Sequence, residues 1–410
     1  MRLVDLRIKN LPIWVLGLLT VLIPLNYIVD PSFGVSAARV SQEQSFQMAA
    51  ILLFAVFIVR NIYLGLFLIW SMFLYAFYGF PTPSGSCLLS LFSACILYEI
   101  SYKVIDQDNI KLLFKIITWF AIANMLYMVM QMFGWELLFK EFTRPGFQTG
   151  PIGFFGLKAI MGMFIALTIP FIAIESPLVA IGLMVPIALS ESSCAVVGGV
   201  ASYLWILWHK SRKAFVVALT ILALGATVYV IKDSHARMMT DRVNMWKVVL
   251  RDSVKKPLTG YGLDSFRSIG NTKQFIYWKD VRTLETTAID VKDTLEWSNT
   301  GKGYEGKYPN IKNDDILDPW DNPHNELVML LFEWGVIGVV LFSFLVYDMR
   351  KRFNSFDSNI VVLAGFFICL LILSIGQFPF HLARVGVLIP IMLGAYYKLT
   401  DTKKEESLYV

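Results

Sequence analysis

Long apolar runs dominate this chain, in place of the alternation of half-buried strands or the one-sided stripe of soluble helices. They fall at roughly 11–30, 46–60, 62–80, 85–102, 111–133, 153–175, 178–190, 194–208, 214–232, 334–348, 359–376 and 384–398. A helix needs about 20 apolar residues to cross a bilayer, so the pattern predicts an all-α integral membrane protein of about 12 transmembrane helices. The runs 178–190 and 194–208 are short and are separated by Ser190-Glu191-Ser192-Ser193. Interrupted segments survive at membrane depth where they line a polar cavity or are buried in protein. The alternative is one tilted helix with an exposed polar kink.

Between the ninth and tenth runs the apolar pattern lapses. The predicted organisation is a membrane bundle over 1–232, a large, partly helical loop over 233–323, C-terminal spans over 324–398 and a tail over 399–410. Three pieces of the loop region are legible. In 240–257, Val243, Trp246, Val249, Leu250 and Val254 share one helical face, with Thr240 as N-cap and Pro257 as terminator. A glycine turn, LTGYGLDSF, follows over 258–266. In 318–338, Asn322 is a natural N-cap and Pro323 a natural first helical residue, which places His324 in the first turn of a helix running on into the tenth span.

Composition agrees with lipid as the main solvent. The chain has 410 residues, 56% of them apolar and only 16% charged, against about a quarter charged in soluble domains. Lysine and arginine set the orientation. With both termini in the cytoplasm, inner ends and tails hold sixteen of them, among them Arg2, Arg7, Lys111, Arg350 and Lys403, whereas the short outer loops hold four: Arg39, Lys140, Arg144 and Arg384. The loop 233–323 is then on the outer, non-cytoplasmic side. The run beginning at Leu11 reads as a first span rather than a signal peptide, because no small-residue cleavage pattern follows it. The net charge of +5 sits at membrane edges and gives no reason to expect a nucleic acid partner. The four cysteines have no CxxC spacing, so neither a disulfide framework nor a zinc site is indicated, and no metal or other cofactor is called for.

Candidate chemistry lies mostly in the loop. A first-turn His324 would sit at the positive end of a helix dipole, which disfavours imidazolium and keeps the ring able to accept a proton. The other histidines are His209, on the inner side, and His235 and His381, neither of which starts a helix. Arg237, Arg242, Arg251, Arg267 and Arg282 could make bidentate contacts to phosphate oxygens. Tyr277, Trp278, Trp297, Tyr304, Tyr308 and Trp320 could lie against sugar rings, although aromatic residues at a membrane edge more often form an interfacial belt. Within the spans, Lys158 and Glu191 are costly charges and default to functional hypotheses. Lys158, about a turn in from the outer end of its run, is equally open to snorkelling.

Several of these pieces, taken in order, resemble the O-antigen ligase and polymerase family. They are Arg242 with Trp246 on an amphipathic helix, then Pro257-Leu258 with Gly260 and Gly262. His324-Asn325 opens a further helix carrying Glu333, Gly335 and Gly338. The topology matches too, with about twelve spans and a large late loop. The resemblance implies glycan transfer, metal-independent, from an undecaprenyl-pyrophosphate-linked glycan donor to the hydroxyl of a glycan or lipid A-core acceptor. It implies His324 as general base and Arg242 as a catalytic cation on the pyrophosphate, with Lys158, Arg384, Arg237 and Arg282 as substrate-binding candidates. One departure is plain. Family members usually carry Ser-Arg at the break between the seventh and eighth spans, and this chain has Glu191 and Ser193 there with no arginine. Lys158 and Arg384 are the candidates to replace that cation. The competing reading is a secondary transporter or lipid-linked-sugar flippase, suggested by twelve spans and a broken helix. Against it, no internal repeat relates the two halves.

Overall fold

The computed structural model describes residues 61–78, 82–135, 152–155, 157–190, 192–220, 242–243, 246–247, 249–266, 276–279, 286–289, 296–299, 304–307, 324–354 and 356–408. The expected spans over 11–30 and 46–60 lie outside the described residues. The helices are α1 (Ile62–Phe77), α2 (Thr82–Val104), α3 (Ile110–Met132), α4 (Lys158–Ala173), α5 (Pro177–Leu189), α6 (Ser193–Lys210), α7 (Glu326–Arg352), α8 (Ser358–Gly376), the single turn α9 (Ala383–Gly386) and α10 (Leu388–Leu408). Residues 212–220 are also helical. Four stretches among the described residues are long and apolar enough to cross a membrane: Cys87–Val104, Ile110–Met132, Glu326–Arg352 and Ser358–Gly376. The chain is a multi-pass membrane protein.

Two helix ends and two short hairpins add to the sequence reading. α7 starts at Glu326, three residues after the expected first helical residue Pro323 and eight before the apolar run at 334, and its first two turns bury Val328, Met329 and Phe332 against protein rather than lipid. α10 continues through the expected tail to Leu408. The all-α expectation holds for the membrane segments, but the loop contains two short antiparallel hairpins. β1 (Ile276–Lys279) pairs with β2 (Thr286–Ile289), with Trp278 opposite Thr287; β3 (Glu296–Asn299) pairs with β4 (Tyr304–Lys307), with Trp297 opposite Gly306. Periodicity over four residues is too short to announce such strands.

The chain divides into two compact units. One comprises residues 1–65, 89–227 and 345–410; the other comprises 66–88 and 228–344.

The first unit is built around α4, whose residues from Ile160 to Ala173 are all buried. It packs on α3, α5, α6 and α8, and α6 lies along α8. Small residues permit the close approaches, as expected where lipid removes the hydrophobic drive between helices. A β-carbon on Gly162 would fall 2.1 Å from Ser190 Oγ, and one on Gly198 would fall 3.0 Å from Cys369 Sγ. Helix ends in this unit are tied by polar contacts. Asp357 caps α8 by accepting from the Asn359 and Ile360 amides, and it also accepts from Gln107 Nε2 at 2.8 Å. Arg352 pairs with Asp348 at 2.7 Å and also with Asp401.

The second unit holds the loop elements. Residues 242–243, 246–247 and 249–253 are helical, and this segment packs through Val249 and Trp246 against Val328, Met329 and Phe332 of α7 and against Tyr261 and Phe266. The five-residue apolar face expected here is therefore split: Trp246 and Val249 face protein, while Val243, Leu250 and Val254 are exposed.

Candidate functional site

α7 is not one continuous helix. At Gly335 the backbone turns to φ 67°, ψ −171°, and such a break frees the carbonyls of the preceding turn. Three consecutive carbonyls find donors outside the helix. Phe332 O accepts from the Tyr261 amide at 2.8 Å and Glu333 O from the Gly262 amide at 3.0 Å. Trp334 O accepts from Trp70 Nε1 of α1 at 3.1 Å. In return, the Val336 amide donates to Pro257 O at 2.8 Å. The Pro-Leu-Thr-Gly-Tyr-Gly turn is therefore laid against the broken helix as a short backbone-to-backbone splice.

Two glycines make the splice possible. A β-carbon on Gly335 would fall 2.2 Å from Leu258 O, and one on Gly260 would fall 2.5 Å from Phe332 O; both residues have positive φ. Around them, the Tyr78 hydroxyl donates to Gly260 O and lies 3.1 Å from Thr259 Oγ1, while the Tyr78 ring covers Gly262. Lys256 Nζ sits 4.8 Å from the centroids of both the Tyr78 and Tyr261 rings. The Tyr261 ring stacks on Phe332 at 4.6 Å, and burial raises its phenol pKa. Glu333 is fully buried and accepts from the Phe266 amide through its carboxylate. Because the Tyr261 and Gly262 amides are spent on α7, the glycine turn is a structural splice and not a phosphate-cradling loop.

His324 stands differently from the sequence expectation. The helix begins at Glu326, and its N-cap is Asn325, whose Oδ1 accepts from the Leu327 and Val328 amides at 3.0 Å each. Asn322 and Pro323 lie outside the described residues. His324 therefore precedes the cap instead of sitting in the first turn, and it adopts φ 50°. That left-handed conformation costs a non-glycine residue roughly 1–2 kcal/mol, and such strain collects at functional sites. The ring is half-buried and still lies at the positive end of α7. Its helix start packs on the segment carrying Arg242 through Val249 and Val328, so these two residues belong to one unit. Arg242 is half-buried on that helical segment.

The remaining candidates lie on other elements or outside the described residues. Lys158 is the first residue of α4, half-buried, and not a turn inside it. The 3-10 turn Gly153–Phe155 precedes it, held because Gln131 Oε1 accepts from the Ile152 and Gly153 amides and Asn124 Oδ1 from Phe154. Arg384 lies on α9, which packs on α4; its side chain is outside the described residues. Lys158 and Arg384 fall in the first unit, His324 and Arg242 in the second. Arg237, Arg267, Arg282, Tyr308 and Trp320 lie outside the described residues, as do the side chains of Tyr277, Trp278, Trp297 and Tyr304. Arg251 is exposed and 3.9 Å from Asp252.

The break at 190–192 is present, with α5 ending at Leu189 and α6 opening at Ser193; Glu191 lies outside the described residues. Ser190 and Ser192 are buried, and Ser192 caps α6 through the Ala195 amide and accepts from Gln377 Nε2 at 3.3 Å. At Ser190 and Ser192 the interruption is buried in protein.

Sequence reasoning missed Trp70 on α1 and Tyr78 just past its end, which brace the splice. Nothing in an apolar run marks which aromatic will find a carbonyl 182 or 264 positions away. Asn325 could have been found, since Asn followed by Glu at the helix start is a capping signal.

Residues 177–343 match the family model described as O-antigen ligase. No curated protein matches the chain.

Proposed function

From the match over residues 177–343, which supports membership of the O-antigen ligase and polymerase family, we propose that this protein transfers a glycan from an undecaprenyl-pyrophosphate carrier to an acceptor hydroxyl. The observation that carries the reading is that the matched stretch includes the α7 break, the glycine turn docked on it, and the strained His324 at the same helix's start. The chemistry is a displacement at the anomeric carbon. His324 takes the proton of the acceptor hydroxyl while the acceptor oxygen bonds to that carbon. The bond from carbon to pyrophosphate oxygen breaks, and undecaprenyl pyrophosphate leaves with its charge held by Arg242. Proton transfer by a placed base is typically worth about 10²–10⁴ in rate, and a bidentate guanidinium suits the leaving anion.

Lys158 and Arg384 are the candidates for a further cation on the carrier, on grounds of charge. Arg237 and Arg282 are proposed as donor contacts on the same grounds. We place the protein in a bacterial inner membrane with both termini cytoplasmic and the loop periplasmic, on the lysine and arginine bias. The test is reconstitution in vesicles with a lipid-linked glycan donor and a glycan or lipid A-core acceptor. Glycan moved onto the acceptor, with free carrier pyrophosphate released, supports transfer. Carrier that crosses the bilayer with its glycan still attached would replace this reading with the flippase.

A further inference from the structure

The splice fixes the turn at a particular depth. Arg350, Lys351 and Arg352 close α7, and a cluster of basic residues at the end of a span sets the polar edge of the hydrocarbon. Fourteen residues separate Val336 from Arg350, a distance of about 21 Å along a helix. A hydrocarbon core is about 30 Å thick, which leaves Val336 roughly 9 Å inside the opposite edge. Val336 is bonded to Pro257, so Leu258 sits at that level. Val336, Val340 and Phe344 are exposed along the same helix.

Leu258 and its neighbours are apolar and uncovered. Leu258 is 63% exposed and Val254 76%, with Leu250 one turn earlier also exposed. Lys247, Arg251 and Lys255 form the adjacent exposed row at a spacing of four. An apolar row beside a basic row is how a helix lies in a membrane surface, with the long side chains reaching back to headgroup phosphates. Asp252 pairs with Lys255 at 2.8 Å and raises its pKa, so that ammonium stays charged.

Irregular backbone at membrane depth is tolerated only if its polar groups are satisfied by protein. The amides of Val254, Lys255, Lys256, Gly260, Tyr261 and Gly262 donate to backbone carbonyls and Pro257 has no amide, so within 254–262 only the Leu258 and Thr259 amides find no acceptor among the described residues. The carbonyls of Pro257 and Gly260 accept from the Val336 amide and the Tyr78 hydroxyl.

We propose that residues 247–258 anchor the loop in the lipid leaflet on the loop's own side, with Leu250, Val254 and Leu258 among acyl chains and Lys247, Arg251 and Lys255 at the phosphates. The occupant of this surface is bilayer phospholipid. The anchoring stands whether or not the protein transfers glycan.

A nitroxide on Leu258→Cys, Val254→Cys or Arg251→Cys, in full-length protein with Cys87 and Cys194 changed to serine and reconstituted in phosphatidylethanolamine and phosphatidylglycerol vesicles, tests it. Collisions with oxygen should exceed those with a water-soluble nickel chelate at 258 and 254, most strongly at 258, and the order should reverse at 251. Equal nickel access at 258 and 251 overturns the proposal. So does a label at 258 that neither agent reaches, since protein would then cover it. In the unsubstituted chain, phospholipid carrying a diazirine acyl chain should label residues 250–258. Absence of adduct there, with adduct on α7, overturns it as well.

Discussion

Gly335 and Gly260 meet through bare backbone: a β-carbon on Gly335 would fall 2.7 Å from the Gly260 amide nitrogen. This contact couples a break in a long apolar helix to a turn that follows a separate helical segment. The two glycines are spatially one feature, although 75 positions divide them.

Alanine at either glycine should therefore be strongly destabilising. The left-handed backbone alone costs roughly 1–2 kcal/mol, and the clash with carbonyl oxygens adds about 1–3 kcal/mol of overpacking strain. Gly65→Ala is the control, since nothing lies within 4 Å of a β-carbon there. Thermal melts in detergent should show large losses for Gly335→Ala and Gly260→Ala and little change for Gly65→Ala. Equal melts for all three would contradict the splice.

Replacing His324 by glycine separates strain from chemistry. Glycine adopts φ 50° freely, so His324→Gly should keep or raise the melting temperature. Transfer activity should still fall about 10²–10⁴-fold if the imidazole is the base. Near-normal turnover by the folded glycine variant would remove His324 from that role.

Asn325→Ala should lose about 1 kcal/mol through the missing cap on the Leu327 and Val328 amides. Asn322→Ala should lose less than Asn325→Ala, since Asn325 already holds the Leu327 and Val328 amides. Urea or thermal titration of both variants checks this, and the opposite ranking would restore Asn322 as the cap.

Tyr78→Phe keeps the ring over Gly262 but deletes the hydroxyl that serves Gly260 O and Thr259. The expected cost is about 1 kcal/mol, rising if the buried carbonyl finds no other donor. Faster hydrogen exchange at the Tyr261 and Gly262 amides, with α8 unchanged, is the expected signature.

Arg242→Lys should lose much of the transfer rate, because an ammonium cannot reproduce a bidentate contact to pyrophosphate. Arg251→Lys, already 3.9 Å from Asp252 and exposed, should lose little. Equal rates for the two variants would end the assignment of Arg242 to the leaving group.

The sequence alone determined the membrane character, the positions of most described helices and the break at Ser190, because a bilayer demands long apolar runs and punishes polar interruptions. It also marked the glycine turn and the helical segment carrying Trp246, and it put forward Arg242 and His324 for the chemistry. Only the tertiary structure decided how the turn, the segment and α7 meet. The cap fell to Asn325 because capping depends on which side chain reaches the N2 and N3 amides, a matter of local geometry that two neighbouring asparagines leave open. Leu250 and Val254 faced outward because the partner of an amphipathic face is set by what packs on it, here a narrow strip of Val249 and Trp246. The role of Gly335 was beyond reach of periodicity, since a φ of 67° inside an apolar helix leaves no trace in hydropathy and is held only by donors from Tyr261, Gly262 and Trp70.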